Sequence, residues 1–256
     1  MKIATWNVNS VKARLQHLLD WLGESAPDIA LLQENKCLAE NFPREQVEDL
    51  GYNVAVVGQK SYNGVAILSR HPIEDITSRL PGDDEDEQAR YVEAFTGGVR
   101  VASVYVPNGS EVGSEKFAYK MDFLERLESH LADILSYEEP CVIGGDYNVA
   151  PDPEDVYDHE RLAGTVCHHP EEWNRYRALL NLGMTDAFRA YNPGPGRYTW
   201  WDYRAGGWQK DHGYRIDHLL LSPQASDLLA GSDVDRNMRG REKPSDHAPL
   251  WCEISI

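Results

Sequence analysis

Carboxylates, amides and one imidazole recur where short apolar runs of this chain end. WNVNS supplies Asn7 and Asn9, LLQEN supplies Gln33 and Glu34, and YVPN supplies Tyr105 and Asn108. GGDYN places Asp146 and Asn148 two residues apart, on one side of an extended chain, and Gly144 and Gly145 before them let the backbone approach closely. YRID brings Asp217, and KPSDHAP brings Asp246 and His247. The donors are oxygen-rich, with neither a thiolate pair nor a multi-histidine group, which suits a hard divalent ion such as Mg²⁺ or Mn²⁺ rather than zinc. Such an ion mainly meets phosphate. Attack of water on a phosphodiester requires the phosphate charge to be screened, a proton to leave the nucleophile and the leaving oxygen to be stabilised. Together these must lower the barrier by at least about 8 kcal/mol. A carboxylate-bound metal with Asp, Asn, Tyr and His around it can fill those roles.

Taken singly, each position has an ordinary explanation. An Asn or Asp after a strand is commonly a turn former, His247 alone reads as a structural histidine, and Glu34 alone as a surface charge at a strand exit. Their recurrence at successive strand ends is what points to chemistry. The acidic run Asp83 to Glu87 lacks the ligand alternation and central Gly of a calcium loop, so a solvated loop is expected there. His168 and His169 are adjacent, their side chains should diverge, and with Cys167 they are expected to form a surface patch.

Groups at strand ends need covered sheets to position them. Ile3 to Trp6, Ile29 to Gln33, Val65 to Ser69, Val99 to Val106, Cys141 to Gly145 and Ile216 to Ser222 read as strands, several apolar on both faces. Val11, Leu15, Leu18 and Leu22, and then Phe117, Met121, Leu124, Leu127, Leu131 and Ile134, keep one apolar face at helical spacing. Ser10 and Ser114 stand where N-caps are expected, and Pro27 and Pro140 mark the return to extended chain. With 256 residues, 41% of them hydrophobic, and no linker-like stretch, a single domain over residues 1–256 is expected. The 25 Lys and Arg against 42 Asp and Glu leave a formal charge of −17, so a nucleic-acid partner requires local compensation and a membrane surface is disfavoured. Four scattered cysteines without a CxxC pair suit reduced thiols, and the absence of a signal-like or membrane-spanning apolar run leads to a cytoplasmic expectation.

The wording and order of the motifs become specific when read together. WNVNS, PDIALLQENK, NGVAILSR, YVPNG followed by Lys116, GGDYNVAP, TWWDYR, RIDHLLLS and EKPSDHAPLW resemble, in sequence order, the exonuclease III branch of the exonuclease/endonuclease/phosphatase superfamily. The resemblance spans essentially the whole chain, with departures at Asn35, where Thr or Ile is commoner, and at Trp201, where Phe is common. It implies an α/β fold, a four-layer α-β-β-α sandwich of two packed mixed sheets, DNase I-like, with the site at one end of the sheets. It further implies Glu34 as the main metal carboxylate beside Asn7, with Asp146, Asn148, Asp246 and His247 completing the metal's surroundings. Asp146 resembles the group that orients and deprotonates the attacking water, and Asn148 its partner in holding the transition state. His247 resembles the histidine that contacts the scissile phosphate, and Asp217 the carboxylate that fixes its tautomer. Tyr105 resembles the tyrosine beside the leaving group, and Asn108 and Lys116 resemble phosphate-binding groups.

For substrate, the resemblance places Trp200 against a flipped-out baseless sugar, with Trp201 beside it in the same DNA-binding turn. From Arg197 to Lys243 eight Lys and Arg meet seven Asp and Glu, so compensating charge for DNA is expected there, or else a solvated surface. The leading reading is an Mg²⁺-dependent DNA repair nuclease, Mn²⁺ being the alternative ion. It would cut 5′ to abasic sites, trim blocked 3′ ends and remove nucleotides 3′ to 5′ from duplex DNA, acting as a monomer. An inositol-phosphate phosphatase and a nonenzymatic DNA-binding module are the competing readings.

Overall fold

Alternate residues of the central strands are buried on opposite faces, so each strand belongs to two cores. In the computed structural model, which describes residues 1–255, the strands and helices follow one another as β1 (Lys2–Asn7), α1 (Leu15–Glu24), β2 (Ile29–Gln33), α2 (Arg44–Glu48), β3 (Asn53–Val57), β4 (Val65–Ser69), β5 (Ile73–Thr77), β6 (Tyr91–Thr96), β7 (Val99–Tyr105) and α3 (Glu115–Leu135). Then come β8 (Cys141–Asp146), α4 (His159–Leu162), α5 (Pro170–Asn181), β9 (Thr185–Asp186), α6 (Ala187–Tyr191), β10 (Trp200–Trp201), β11 (Gly213–Tyr214), β12 (Asp217–Leu221), α7 (Pro223–Ser226), β13 (Leu229–Val234) and β14 (Leu250–Ile254). One six-stranded sheet runs β13-β14-β1-β2-β4-β3 and the other β5-β6-β7-β8-β12-β9, with a two-stranded β10-β11 ribbon beside them. Each six-stranded sheet is mixed, its parallel pair being β1–β2 in the first and β7–β8 in the second.

Ile3, Ile29, Leu31 and Ile67 of the first sheet pack against Val92, Val101, Val142 and Leu219 of the second, forming the central core. The opposite faces are covered by helices: Ala4, Trp6 and Leu32 meet Leu18, Trp21 and Leu22 of α1, while Ala102, Val104 and Ile143 meet Leu124, Leu127 and Leu131 of α3 and Leu179 of α5. The result is the expected four-layer α-β-β-α sandwich. The two glycines of GGDYN are steric requirements of the packing. A Cβ on Gly144 would stand 2.6 Å from Leu219 Cδ2 and 2.7 Å from Leu31 Cδ1, and one on Gly145 would stand 1.9 Å from Val104 O. Among the described residues no helix is long and apolar enough to cross a membrane.

Several local expectations change. Ser114 caps α3 as expected, accepting from Phe117 N at 3.2 Å. Ser10 does not cap α1, which begins only at Leu15 behind Arg14. Asn9 and Ser10 hold φ of +45° and +84°, so the chain turns before the helix, burying Val11 in that turn. The acidic run is solvated only in part, because Asp86 accepts from Tyr119 Oη and Arg126 Nη2, each at 2.8 Å. His168 is fully buried rather than at the surface, its Nδ1 2.7 Å from Ala150 O and its Nε2 2.8 Å from His159 Nδ1. Adjacency makes neighbouring side chains diverge, but here divergence sends one of the pair inward.

Candidate active site

Strand register brings the polar ends to one edge of the sandwich. Tyr105 lies beside Asp146 across β7–β8, and Asp146 lies opposite Asp217 across β8–β12. In the facing sheet Asn7 pairs with Gln33, which puts Glu34 one residue beyond. A bridge between Trp200 and His247 ties the aromatic ribbon to the segment carrying the imidazole. Between these elements opens a cavity of about 430 Å³, walled by Glu34, Tyr105, Asn108, Asp146, Asn148, Asp246 and His247. Its less polar side is Val166, Cys167, Trp200, Tyr214 and Ile216. Glu34, Lys36 and Asn148 hold φ of +53°, +52° and +51°, left-handed turns that set the direction of their side chains at the strand exits.

Asp146 sits at the centre of a hydrogen-bonded array. Its Oδ2 accepts from Asn7 Nδ2 at 2.9 Å, its Oδ1 accepts from Asn148 N at 3.0 Å, and His247 Nε2 stands 3.7 Å from Oδ2. That last distance is too long for a hydrogen bond and leaves room for an oxygen that touches both groups. On the far side of the ring, His247 Nδ1 is 2.8 Å from Asp217 Oδ2, which fixes the tautomer. Burial pushes the Asp146 carboxyl up to about 7, with His247 pulling it down and Asp217 adding to the rise. Burial opposes charge on His247, but Asp217 and Asp146 outweigh it and carry the imidazole up to about 10. Between those values the two groups are a carboxylate and an imidazolium facing one oxygen-sized gap.

Glu34 is held differently. Burial alone would raise its carboxyl, but the Lys36 ammonium and hydrogen bonds from Asn7, Lys36 and Tyr105 bring it below the usual value. Lys36 Nζ lies 2.6 Å from Glu34 Oε2, and Asn7 Nδ2 and Tyr105 Oη donate to Oε1 at 3.0 and 2.8 Å. Burial, joined by the Glu34 and Asp146 charges, raises Tyr105 well above its ordinary value, so the phenol keeps its proton. The oxygen-rich donors fit a hard cation. Glu34 Oε2 already faces a positive charge, and the buried Asp217 Oδ1 has no hydrogen-bond partner. Asp146, Asp217 and His247 bring carboxylate and imidazole atoms within 4.8 Å of one another, and with both nitrogens of the imidazolium protonated the carboxylates are the donors a cation would find there.

A buried carboxylate and an imidazolium converging at the open edge of a two-sheet sandwich, beside an acidic site fit for a cation, define a metal-dependent phosphoester hydrolase. The chain belongs to the endonuclease/exonuclease/phosphatase family, whose model matches residues 4–247. It is 35% identical over 266 residues to an exodeoxyribonuclease III of Haemophilus influenzae, covering 99% of this chain and 100% of that protein. Among solved structures it resembles the Neisseria 3′ phosphatase NExo bound to a product DNA hairpin, with a TM-score of 0.98, 39% identity and 100% of both chains covered. An AP endonuclease from Archaeoglobus fulgidus gives a TM-score of 0.96 at 36% identity, again over 100% of both chains. Within this family the chain is a hydrolytic nuclease of DNA repair.

Ten of the twelve residues to which the resemblance gives roles gather at this edge. Asn7 turns its amide nitrogen to both Glu34 and Asp146, linking the carboxylates. Asp246 accepts from Asn9 Nδ2 at 2.9 Å and Trp200 Nε1 at 3.0 Å, so it orients the aromatic wall as well as facing the cavity. The other two lie elsewhere. Trp201 is fully buried, its Nε1 donating to Asp211 Oδ1 at 2.9 Å, so it supports the ribbon and its indole has no face free for DNA. Lys116 is exposed on the first turn of α3, outside the cavity wall. Gln33 also proves structural, donating to Thr5 Oγ1 at 3.0 Å and Ser103 Oγ at 2.9 Å between the sheets.

The basic surplus expected from Arg197 to Lys243 is consumed internally. Arg197 pairs with Asp233, Arg204 with Asp202, Arg236 with Asp211, and Arg241 with Asp20 and Glu24. Arg215 is buried and Arg239 donates to Trp201 O at 3.1 Å, while two cations stay open: Lys210, exposed with its Nζ donating to Ala205 O at 2.9 Å, and Lys243, its side chain 89% exposed. The sequence reading missed Lys36, Tyr214, Ile216, and the buried pair Lys120 and Glu172. For Lys120 a signal exists: Phe117, Lys120, Leu124, Leu127, Leu131 and Ile134 step by three and four, placing a lysine on the buried stripe.

Proposed function

We propose that this nuclease hydrolyses phosphodiesters in duplex DNA with Mg²⁺, or Mn²⁺ in its place, cutting 5′ to abasic sites, trimming blocked 3′ ends and removing nucleotides 3′ to 5′. The observation that carries this reading is the adjacency of two features. The Asp146–His247 gap, built for a phosphate and a water, opens directly onto a wall of Trp200, Tyr214 and Ile216. Trp200 and Tyr214 meet edge to face at 5.4 Å, a stiff apolar surface suited to a sugar that lacks its base.

Glu34 would hold the metal, with Asn7, Asp146, Asn148, Asp246 and His247 as the nearby groups that complete or orient its shell, and the ion would screen the phosphate charge. The chain's own residues account for the remaining steps. Asp146, ionised above about 7, takes the proton of the attacking water while Asn7 and the Asn148 N–H hold its two oxygens in place. His247, cationic and braced by Asp217, donates from Nε2 to a phosphoryl oxygen, where it stabilises developing charge. Asn148 and Asn108, joined at 3.0 Å, present amides to the same phosphate. Tyr105 stays protonated, its O–H on Glu34 Oε1, and stands beside the leaving 3′ oxygen, where it orients the metal carboxylate. Lys116 and Lys243 reach the flanking DNA backbone from outside the cavity. Four buried free cysteines accord with action in the cytoplasm, as a single-domain monomer that presents an open face to the duplex.

The test is a labelled duplex containing one abasic site, incubated with Mg²⁺ and with chelator. Metal-dependent incision immediately 5′ to the lesion is expected. An intact strand, with phosphate released from an inositol phosphate instead, would reassign the site to the phosphatase branch.

A further inference from the structure

Lys120 and Glu172 form an ion pair with no solvent exposure on either side chain, between α3 and α5. Removing two charges from water is costly, and an apolar pair of similar volume commonly serves stability as well or better. Stability therefore does not account for these charges, and their other contacts do. Lys120 Nζ donates to Glu172 Oε1, to Asn148 O at 2.7 Å and to Asn108 O at 3.2 Å, so all three of its protons are used. Glu172 accepts from Cys167 N at 3.1 Å on one oxygen and from His169 N at 3.0 Å on the other.

One buried pair thus grips three separate stretches of cavity wall by their backbones: the turn after β7, the turn after β8 and the segment before α5. The turn after β8 needs gripping, because Asn148 holds a left-handed φ of +51° while its side chain donates to Val106 O at 3.0 Å and accepts from Asn108. We infer that Lys120 and Glu172 are positioning residues for hydrolysis, acting through the backbones of Asn148 and Asn108 without touching substrate. This rests on the nuclease reading above for the step they serve.

The test compares wild type with the neutral pair Lys120→Met/Glu172→Gln, and with the same change in an Asn148→Ala background. On the abasic duplex, kcat should fall about 10- to 100-fold in the neutral pair, a size typical of lost outer-shell support, while KM moves less than about threefold. In the Asn148→Ala background the same change should cost no more than about twofold, because residues that act as a unit are not additive. A second readout needs no activity: the side-chain amide resonances of Asn148 and Asn108 should shift or broaden in the neutral pair and in the milder Glu172→Gln, whose fold is checked by its melting curve. A lower melting temperature with kcat within twofold of wild type would make the pair merely structural and overturn the inference, as would a full multiplicative loss beside Asn148→Ala. Should wild type fail to cut the duplex, the nuclease reading falls, and unmoved amide resonances would then overturn the positioning role separately.

Discussion

Arg215 and Asp217, two residues apart, anchor two buried ionic clusters of opposite character. Around Arg215 the charges are matched: Nε and Nη2 reach the two oxygens of Asp155 at 2.7 and 3.0 Å, Nη1 reaches Asp186 at 2.7 Å, and Arg189 adds a second cation on Asp155. Burial works against both carboxylates, yet Arg215 outweighs it and holds them below their ordinary range. Around Asp217 the charges are mismatched, with two buried carboxylates on one imidazole and Asp217 Oδ1 left without a partner. There burial raises Asp146 and the surplus negative charge raises His247. One short segment therefore supplies a scaffold whose charges are saturated and a site whose charge is unfinished, and it is the unfinished one that can take up a cation or move a proton.

Asp146→Asn tests that distinction with the largest expected effect. Incision should fall by about 10³-fold, roughly 4 kcal/mol of transition-state stabilisation, with the melting temperature at pH 8 equal to or above wild type. A cooperative but unstable variant would place Asp146 in the scaffold class. Arg215→Met should do the reverse, costing about 3–5 kcal/mol by leaving Asp186 buried without its arginine and Asp155 with Arg189 alone, while the folded fraction retains its kcat. Chemical denaturation alongside single-turnover kinetics separates the two quantities.

A finer test follows His247 directly. Its ring protons should titrate near 10 in wild type, and Asp217→Asn should bring the midpoint down toward 6.5; a midpoint that stays put would assign the rise to Asp146 alone. The smallest effect is in stability against pH. Asp155 and Asp186 have folded values below 3.8, so their contribution is present above that value and is lost as pH falls through the folded ones. Asp146 and His247 have folded values above their unfolded 3.8 and 6.5, so their contributions are full below those and are lost as pH rises to about 7 and about 10. Melting temperatures should therefore decline at acid pH in a manner that Arg215→Met blunts, and at alkaline pH in a manner that Asp217→Asn blunts. Equal declines in all three proteins would dissolve the contrast.

Much of this was legible in the residues. Glu34 and Asp146 stand at strand exits, and Asp217 and His247 at or just before strand starts, because short apolar runs mark where each strand begins and stops, and α3 was visible from its stripe and its Ser114 cap. Tryptophan adjacency was not enough to separate Trp200 from Trp201, since a two-residue strand sends consecutive side chains to opposite faces and only the packing says which face is core. Lys116 attracted attention as the lysine after YVPNG, whereas Lys120, one turn on, is the one turned inward. Arg241 looked available because its acidic partners, Asp20 and Glu24, lie far away in the chain, and Arg197 and Arg236 because Asp233 and Asp211 stand 36 and 25 residues off.

The sequence by itself determined the element types, the alternation that makes each central strand two-faced, and the chemical identity of the groups at the strand ends, all of which depend on near neighbours. Tertiary structure alone decided which carboxylate would be depressed and which raised, which tryptophan would face the cavity, and which lysine would be buried. Those outcomes depend on charges and surfaces brought together from distant stretches of chain, and an electrostatic environment exists only once the solvent between them has been excluded.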